Sequence, residues 1–374
     1  MPEIQSLRLV PERVREMLLV IPSALTAQVS VVERLNPTIS NTIEGIVRAQ
    51  QNTAEGTPDS LDPLCSNLQS GCGSNGTLSI PFNTRSYLQG HLDTMCAGTE
   101  FGSQDYSCVD YKAGALVFSG QILSYDVDLS GDGCGCNAAL YLVSMPQSKD
   151  KSKCADFYCD ANDVCGVRCT EIDLMEASKV AWVSTVHVED DGSGQGFGYA
   201  HYVKEKARRI QSPDAECAYG PAEKCAINTE FPFHVDIEFS PSGEEFSFEV
   251  RLTQEGRRAS LGPVRYIEKP QKGLVASATD ANAALRASLD AGMTLVISHW
   301  GGPTTSSMSW LDAPCTADEI ADWSCTDEFV ERPEPWLCNS VSTAKADCSV
   351  PFKLSALTID PPSPTPPSPP PPTP

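Results

Sequence analysis

The sequence predicts an all-β protein: an antiparallel β-sandwich with long loops and few short helices. Strand-like segments recur through the middle of the chain, whereas only residues 280–292, which are rich in alanine and stop at Gly292, have a convincing helical pattern. The strand-like segments lie at 124–130, 138–145, 231–239, 246–253, 293–300 and 351–359. Many strands and few helices favour a sandwich over an α/β fold.

The local patterns justify these elements. Residues 231–239 and 246–253 alternate apolar and polar side chains on either side of the turn SPSGEE, which is typical of a hairpin. Residues 124–130 alternate before the turn GDG, and 138–145 form an apolar run that predicts a buried strand.

The net charge of the chain limits the kinds of partner that we expect. The chain of 374 residues has 49 acidic and 27 basic residues, a net charge of −22. Binding of nucleic acid or an anionic membrane needs clustered Lys and Arg, so we expect neither partner. A neutral substrate such as a sugar polymer fits this charge better.

The cysteines indicate an oxidising compartment. Sixteen cysteines, many at short spacings, predict disulfides and a secreted, extracellular protein. The tightest cluster is Cys154, Cys159, Cys165 and Cys169. No histidine joins it and its spacings are not those of paired C-x-x-C units, so disulfides are favoured over zinc.

Composition divides the chain into four regions. Residues 1–27 contain a short apolar run after Arg13 and Arg15 and are a possible signal or leader segment, with an amphipathic helix as the alternative. Residues 28–73 are polar and of uncertain fold, residues 74–360 form the predicted sandwich, and residues 361–374 are a Pro/Ser/Thr-rich linker or stalk.

The segment TEIDLMEAS, residues 170–178, holds three carboxylates within six residues. It could open a helix with Thr170 as N-cap. On a strand, Glu171 and Asp173 would share a face, and Glu176 would point the other way. A β-bulge near Leu174 or Met175 would bring Glu176 to the same face, so the strand interpretation predicts an irregularity there.

Three acids on one face suit glycoside hydrolysis. In a retaining glycosidase one carboxylate attacks the anomeric carbon and a second carboxyl protonates the leaving oxygen. A calcium site is disfavoured because apolar Ile172, Leu174 and Met175 stand where calcium loops place Gly and Asn. We predict no cofactor and no metal.

With these residues the chain resembles glycoside hydrolase family 7, the cellulases with a jelly-roll, concanavalin-like sandwich. The family pattern Glu-x-Asp-x-x-Glu-Ala corresponds to Glu171 through Ala177. The resemblance implies that Glu171 is the nucleophile, Asp173 its supporting partner and Glu176 the acid/base. It also implies that five residues contact the substrate. They are His187, eleven residues after the acid/base, Asn137 and Tyr141 in residues 126–145, and Trp300 and Trp310 in residues 292–312.

By the same resemblance Cys134 would pair with Cys338, and Cys159 with Cys169. The segments from Cys159 to Glu171 and from His187 to Trp300 are shorter than in the family's tunnel enzymes. That difference implies an open cleft and endo action on β-1,4-glucan. We expect the protein to act as a monomer. The cleft arginines of the family have no clear match, and Arg251, Arg257 and Arg258 are loose candidates.

Two alternatives stay open. EIDLME also fits glycoside hydrolase family 16, which shares the fold and mechanism and attacks β-1,3- or mixed-linkage glucans; residues 137–145 and 293–312 favour family 7. A non-catalytic carbohydrate-binding wall protein on the same fold is the other alternative, disfavoured because all three acids are present.

Overall fold

The computed structural model describes eleven stretches of the chain. These are residues 45–50, 77–90, 109–133, 135–149, 152–154, 156–189, 196–200, 208–269, 276–302, 308–312 and 348–362. The chain divides into two units, Met1–Thr38 and Ile39–Pro374, and all described residues lie in the second. Within the described stretches, no helix has the length and apolar character needed to cross a membrane.

The described residues form fifteen strands, which are numbered in chain order. They are β1 (Gly45–Gln50), β2 (Leu78–Ile80), β3 (Thr84–Gln89), β4 (Ile122–Asp128), β5 (Cys136–Val143), β6 (Glu171–Ser178), β7 (Ala181–His187), β8 (Phe197–Ala200), β9 (Cys217–Gly220), β10 (Cys225–Asn228), β11 (Phe233–Phe239), β12 (Phe248–Gln254), β13 (Arg257–Val264), β14 (Thr294–Gly301) and β15 (Phe352–Asp360).

Two large antiparallel sheets build the fold. The inner sheet has the strand order β1-β3-β14-β5-β6-β7-β8, and the outer sheet has the order β13-β12-β11-β4-β15-β2. Neighbouring strands run antiparallel throughout both sheets. A separate two-stranded sheet of β9 and β10 is parallel. The predicted antiparallel β-sandwich is confirmed.

The main core lies between the sheets. In β4, Leu123 and Tyr125 are buried in this core, whereas Ser124 and Asp126 on the other face are half-buried. This alternation is expected of a sheet with one face in water. All of β5 is buried, because the core between the sheets covers one face and a second cluster of buried residues covers the other.

Helix α1 (Ala278–Asp290) matches the predicted helix within two residues at each end. The Ser277 side chain accepts a hydrogen bond from the backbone N–H of Asp280, an N-cap that a serine is suited to provide. The helix buries Ala281, Leu285 and Leu289, which share one face at four-residue spacing. A short second helix, α2 (Ser309–Asp312), follows β14.

Four disulfides join described residues: Cys136–Cys348, Cys154–Cys165, Cys159–Cys169 and Cys217–Cys225. The predicted pair Cys159–Cys169 is confirmed, and the four-cysteine cluster is two disulfides rather than a zinc site. The predicted pair Cys134–Cys338 lies outside the described residues, as do residues 1–27 and the Pro-rich residues 363–374.

The strands that the sequence does not predict are mostly short or at the margins of the sheets. Strand β1 lies in segment 28–73, for which the sequence predicts no fold, and pairs with β3 at an edge of the inner sheet. The loose arginine candidates are wrong as cleft residues. Arg251 pairs with Glu238 on the outer sheet, Arg257 donates to the carbonyl of Cys225, and Arg258 lies beside Asp214.

Candidate active site

The segment TEIDLMEAS is strand β6, and it contains the predicted bulge. Asp173 pairs with Thr185 of β7 and Glu176 with Val183, so three steps on β6 oppose two on β7. Leu174 and Met175 are both fully buried in the core between the sheets. Two successive side chains on the core face return Glu176 to the face that carries Glu171 and Asp173.

Each of the three carboxyls has a different neighbour. Glu171 Oε2 accepts a hydrogen bond of 3.0 Å from the backbone N–H of Ala161. Asp173 Oδ2 lies 3.0 Å from His187 Nε2. Glu176 Oε1 accepts a 2.9 Å hydrogen bond from Asn137 Nδ2. The two glutamates are therefore oriented by different elements.

The surroundings of Glu176 and Glu171 favour the protonated form of both carboxyls. Burial, followed by the nearby Asp173 carboxylate, raises the pKa of Glu176 to about 8, against the lowering influence of the Asn137 hydrogen bond and His187. Burial and Asp173 also raise the pKa of Glu171 well above its usual range, while His187 and the Ala161 N–H oppose the rise. Because the carboxyls of Glu171, Asp173 and Glu176 lie close together with little exposure to water, they do not all ionise at neutral pH.

Two disulfides hold the loop that contacts Glu171. Cys159–Cys169 closes the loop immediately before β6, and Cys154–Cys165 overlaps it. Inside this loop Arg168 Nη1 donates to the carbonyl of Ala161 at 3.0 Å. The backbone N–H of Ala161 is thus fixed in place before any substrate arrives.

A fourth acid and an arginine near Glu171 escape the sequence analysis. Asp160 is buried, its pKa is raised chiefly by burial, and its charge in turn raises the pKa of Glu171. Arg85 of β3 forms a buried ion pair with Asp156 at 2.7 Å, and its guanidinium carbon lies 3.7 Å from the centre of the Tyr158 ring. The position of Asp160 beside Cys159 is the one signal available in the sequence, whereas nothing near Arg85 in the sequence marks it.

Asn137 and Tyr141 lie on the face of β5 that adjoins the acids. Asn137 is fully buried and contacts Glu176. Tyr141 is buried as well, and its hydroxyl lies 3.1 Å from that of Tyr158. Burial raises the pKa of both tyrosines, so both hydroxyls stay protonated.

Trp300 and Trp310 form one stacked pair. Their ring centroids are 6.2 Å apart and their planes 28° from parallel. Trp300 is half-buried, packing against Val183 and its neighbours, whereas Trp310 is 39% exposed. The sequence treats them as two separate platforms, but the structure brings them together as a single aromatic surface.

Gly196 packs directly against the His187 ring. A Cβ atom at Gly196, where φ is +57°, would lie 2.5 Å from His187 Nδ1 and 2.5 Å from the carbonyl oxygen of Val186. No side chain fits in that space. Glu171, Asp173 and His187 also offer three ligand atoms within 4.8 Å of one another, a set that could hold a cation.

Sequence comparisons find endoglucanases. The chain is 29% identical over 247 residues to endoglucanase EG-1 of Hypocrea jecorina, an alignment that covers 54% of this chain and 48% of the relative. It is 26% identical over 260 residues to endoglucanase type C of Fusarium oxysporum, covering 54% and 58% of the two chains. It is 26% identical over 295 residues to endo-beta-1,4-glucanase celB of Emericella nidulans, covering 61% and 64%.

The chain thus spans about half the length of the first curated relatives. No family model matches it. Among solved structures it is similar to a GH7 family cellobiohydrolase from Daphnia pulex (TM-score 0.49, 15% identity, 86% of this chain and 96% of that one). It is also similar to the endocellulase EGI of Humicola insolens (TM-score 0.46, 18% identity, 84% and 91%). The endoglucanase relatives confirm the resemblance to glycoside hydrolase family 7 that the sequence motifs predict.

Proposed function

We propose that the protein hydrolyses β-1,4-glucosidic bonds of cellulose or a related β-glucan with retention of configuration, attacking within the chain in an open cleft. The bulge in β6 is the observation that carries this proposal, because it gathers Glu171, Asp173 and Glu176 on one face. The endoglucanase names of the sequence relatives support the choice of substrate.

In the first step, a carboxylate oxygen of Glu171 attacks the anomeric carbon and the glycosidic bond breaks. The proton of the Glu176 carboxyl goes to the leaving oxygen. In the second step, the Glu176 carboxylate takes a proton from water, the water oxygen attacks the same carbon, and the bond to Glu171 breaks. A pKa of about 8 keeps Glu176 protonated for the first step at neutral and acidic pH.

The nucleophile has to be ionised, and the environment of Glu171 alone opposes this. Asp173 raises the pKa of Glu171 by its charge, and His187 lowers it. His187 Nε2 lies 3.0 Å from Asp173 Oδ2, so the imidazole opposes the effect of the Asp173 charge and favours ionisation of Glu171. We therefore assign Asp173 and His187 the role of setting the charge around Glu171.

The proposed sugar contacts are mainly aromatic. Pyranose rings stack on flat aromatic faces, and the stacked pair offers such a face in Trp310. The hydroxyl of Tyr141 and the imidazole of His187 are further proposed contacts, since these residues pair in register with Asp173 and Glu171. We propose that the chain acts as a monomer and is secreted, in keeping with its disulfides.

The test is hydrolysis by the full chain of carboxymethyl-cellulose, cello-oligosaccharides and laminarin. We expect turnover of the first two and internal products, with an alkaline limb of kcat/KM near the pKa of Glu176, because the acid must carry its proton. Glu171→Gln should lower kcat by at least about 10³-fold while binding is retained. Glu249→Gln, on the exposed face of the outer sheet, is the matched control and should have no effect.

Two results would contradict the proposal. Preference for laminarin would indicate a β-1,3-glucanase of the family 16 type. Binding of cello-oligosaccharide with no turnover by the unaltered protein, and the same affinity in Glu171→Gln, would indicate a carbohydrate-binding protein.

A further inference from the structure

A second histidine–aspartate pair is buried between the two sheets. His299 of β14 and Asp132 are both fully buried, and His299 Nε2 lies 2.8 Å from Asp132 Oδ1. The other ring nitrogen, Nδ1, lies 3.2 Å from the carbonyl oxygen of Ile80. Both ring nitrogens therefore face oxygen atoms.

The surroundings of this pair are apolar. The rings of Phe82 and Phe352 meet the His299 ring edge-on, with centroids 5.6 Å and 5.4 Å away. A buried ion pair contributes little net stability compared with apolar side chains of similar volume. The pair is therefore better explained by the geometry that it fixes than by the stability that it adds.

Asp132 sits where three parts of the inner sheet meet. Its carbonyl oxygen accepts a 2.9 Å hydrogen bond from the N–H of Lys179, three residues after Glu176 in the β6–β7 turn. In the same loop, the carbonyl of Gly135 accepts a 3.1 Å hydrogen bond from the N–H of Gly302, just after β14. The loop leads directly into β5, which begins at Cys136.

His299 stands directly before Trp300, and the alternation of β14 places the two side chains on opposite faces of the sheet. Trp300 pairs in register with Asn137 of β5. Asn137 in turn donates its hydrogen bond to Glu176. A Cβ atom at Gly301 would lie 2.2 Å from the Gly135 carbonyl oxygen, so the end of β14 and the loop are in close contact.

We propose that Asp132 and His299 are positioning residues for the hydrolysis proposed above. The pair holds the end of β14 against the loop before β5, and so keeps Asn137 against Glu176 and Trp300 beside the cleft. Neither residue touches the substrate. The inference rests on the proposed function, because it concerns the geometry of the same acid/base and the same aromatic surface.

The test replaces the pair by the double substitution Asp132→Leu/His299→Leu. We measure the thermal midpoint together with kcat and KM on a soluble cello-oligosaccharide from pH 4 to 9. We expect a folded protein whose KM is raised roughly twofold to tenfold, because Trp300 is displaced. We also expect the alkaline limb of kcat/KM to move upward by about half a pH unit, since the lost Asn137 hydrogen bond no longer lowers the pKa of Glu176.

A second variant and a control make the outcome decisive. Asp132→Asn keeps the shape of the side chain and can still bond His299, so it should restore most of the KM and pH profile even where the double variant folds poorly. Asn282→Ala removes buried hydrogen bonds to Tyr266 beside helix α1 and should lower the thermal midpoint without moving the pH profile.

Unchanged KM and an unchanged alkaline limb in a folded double variant would overturn the inference and leave the proposed function standing. A profile that moves equally in Asn282→Ala would also overturn it, because the effect would then follow from stability alone. No hydrolysis by the unaltered protein would overturn both proposals.

Discussion

The two faces of the inner sheet hold the same chemical pair in different settings. On the cleft face, Asp173 and His187 lie among other carboxyls, and the Asp173 charge raises the pKa of both glutamates. On the core face, the His299 ring lies between the rings of Phe82 and Phe352, and its Nε2 is 2.8 Å from Asp132. What a histidine–aspartate pair does depends on which groups surround it, and we propose that the first pair tunes charge whereas the second fixes position.

A third pair, on the exposed face of the outer sheet, completes the series. His234 Nδ1 lies 2.8 Å from Asp126 and Nε2 lies 3.2 Å from Asp236. Water reaches all three side chains. These contacts resemble those of the buried pairs, but the three side chains are only partly buried, so they serve as the reference for the comparison.

Among the three histidine–aspartate arrangements, the largest expected effect comes from breaking the Asp173–His187 pair. Asp173→Asn should lower kcat/KM about a hundredfold, as removal of one preorganised polar group at a reacting centre commonly does. It should also move the alkaline limb downward, because the Asp173 charge raises the pKa of Glu176. Replacing the Asp132–His299 pair is expected to move the alkaline limb in the opposite direction. One pH profile of each variant therefore separates the two roles. Asp126→Asn is the matched control, and an unmoved limb in Asp173→Asn would contradict the assignment.

An intermediate effect is expected from moving His187 without changing it. Gly196→Ala places a methyl group 2.5 Å from His187 Nδ1, and a displacement of about 1 Å can lower kcat by roughly tenfold to a hundredfold. Two controls separate the causes. Gly256→Ala has the same kind of backbone strain, with φ at +80° but nothing within 4 Å, and Gly198→Ala has only an ordinary 3.6 Å contact with Thr185.

We expect Gly256→Ala to lose about 1–2 kcal/mol of stability with full activity, and Gly198→Ala to change neither. Measurements of kcat and of urea unfolding on the three variants would show this. An equal loss of kcat in Gly256→Ala would mean that the contact with His187 is irrelevant.

The smallest effect is expected at the exposed pair. His234→Ala should cost about 0.2–1 kcal/mol and leave hydrolysis unchanged, because exposed ion pairs contribute little. Burial is the largest single influence and lowers the pKa of His234, but the hydrogen bonds to Asp126 and Asp236 and the charges of these two residues together raise it. The stabilisation should therefore be complete at acidic pH and disappear as the pH rises through the raised pKa. Urea unfolding at pH 5 and pH 9 measures it, and an equal loss at both would contradict this account.

Local patterns in the sequence predict much of the fold because they report on neighbours along the chain. Strands β4, β5, β11, β12, β14 and β15 and helix α1 all coincide with predicted segments, since alternation, alanine content and caps act within a few residues. The bulge in β6 is predictable for the same reason. The buried ion pair of Arg85 on strand β3 is missed because its side-chain partners Asp156 and Tyr158 lie some seventy residues away in the chain.

The sequence by itself indicated the residues of the candidate site, and on the strand interpretation it predicted the bulge and the shared face of β6, because the side-chain direction along a strand depends on local backbone geometry. The tertiary structure decided which groups surround them. It stacked Trp300 on Trp310, placed the N–H of Ala161 against Glu171, and put Asp132 against His299. The first two contacts each join residues ten positions apart, and only the third joins residues far apart in the chain. Burial and charge at all three exist only once the loops and sheets have packed.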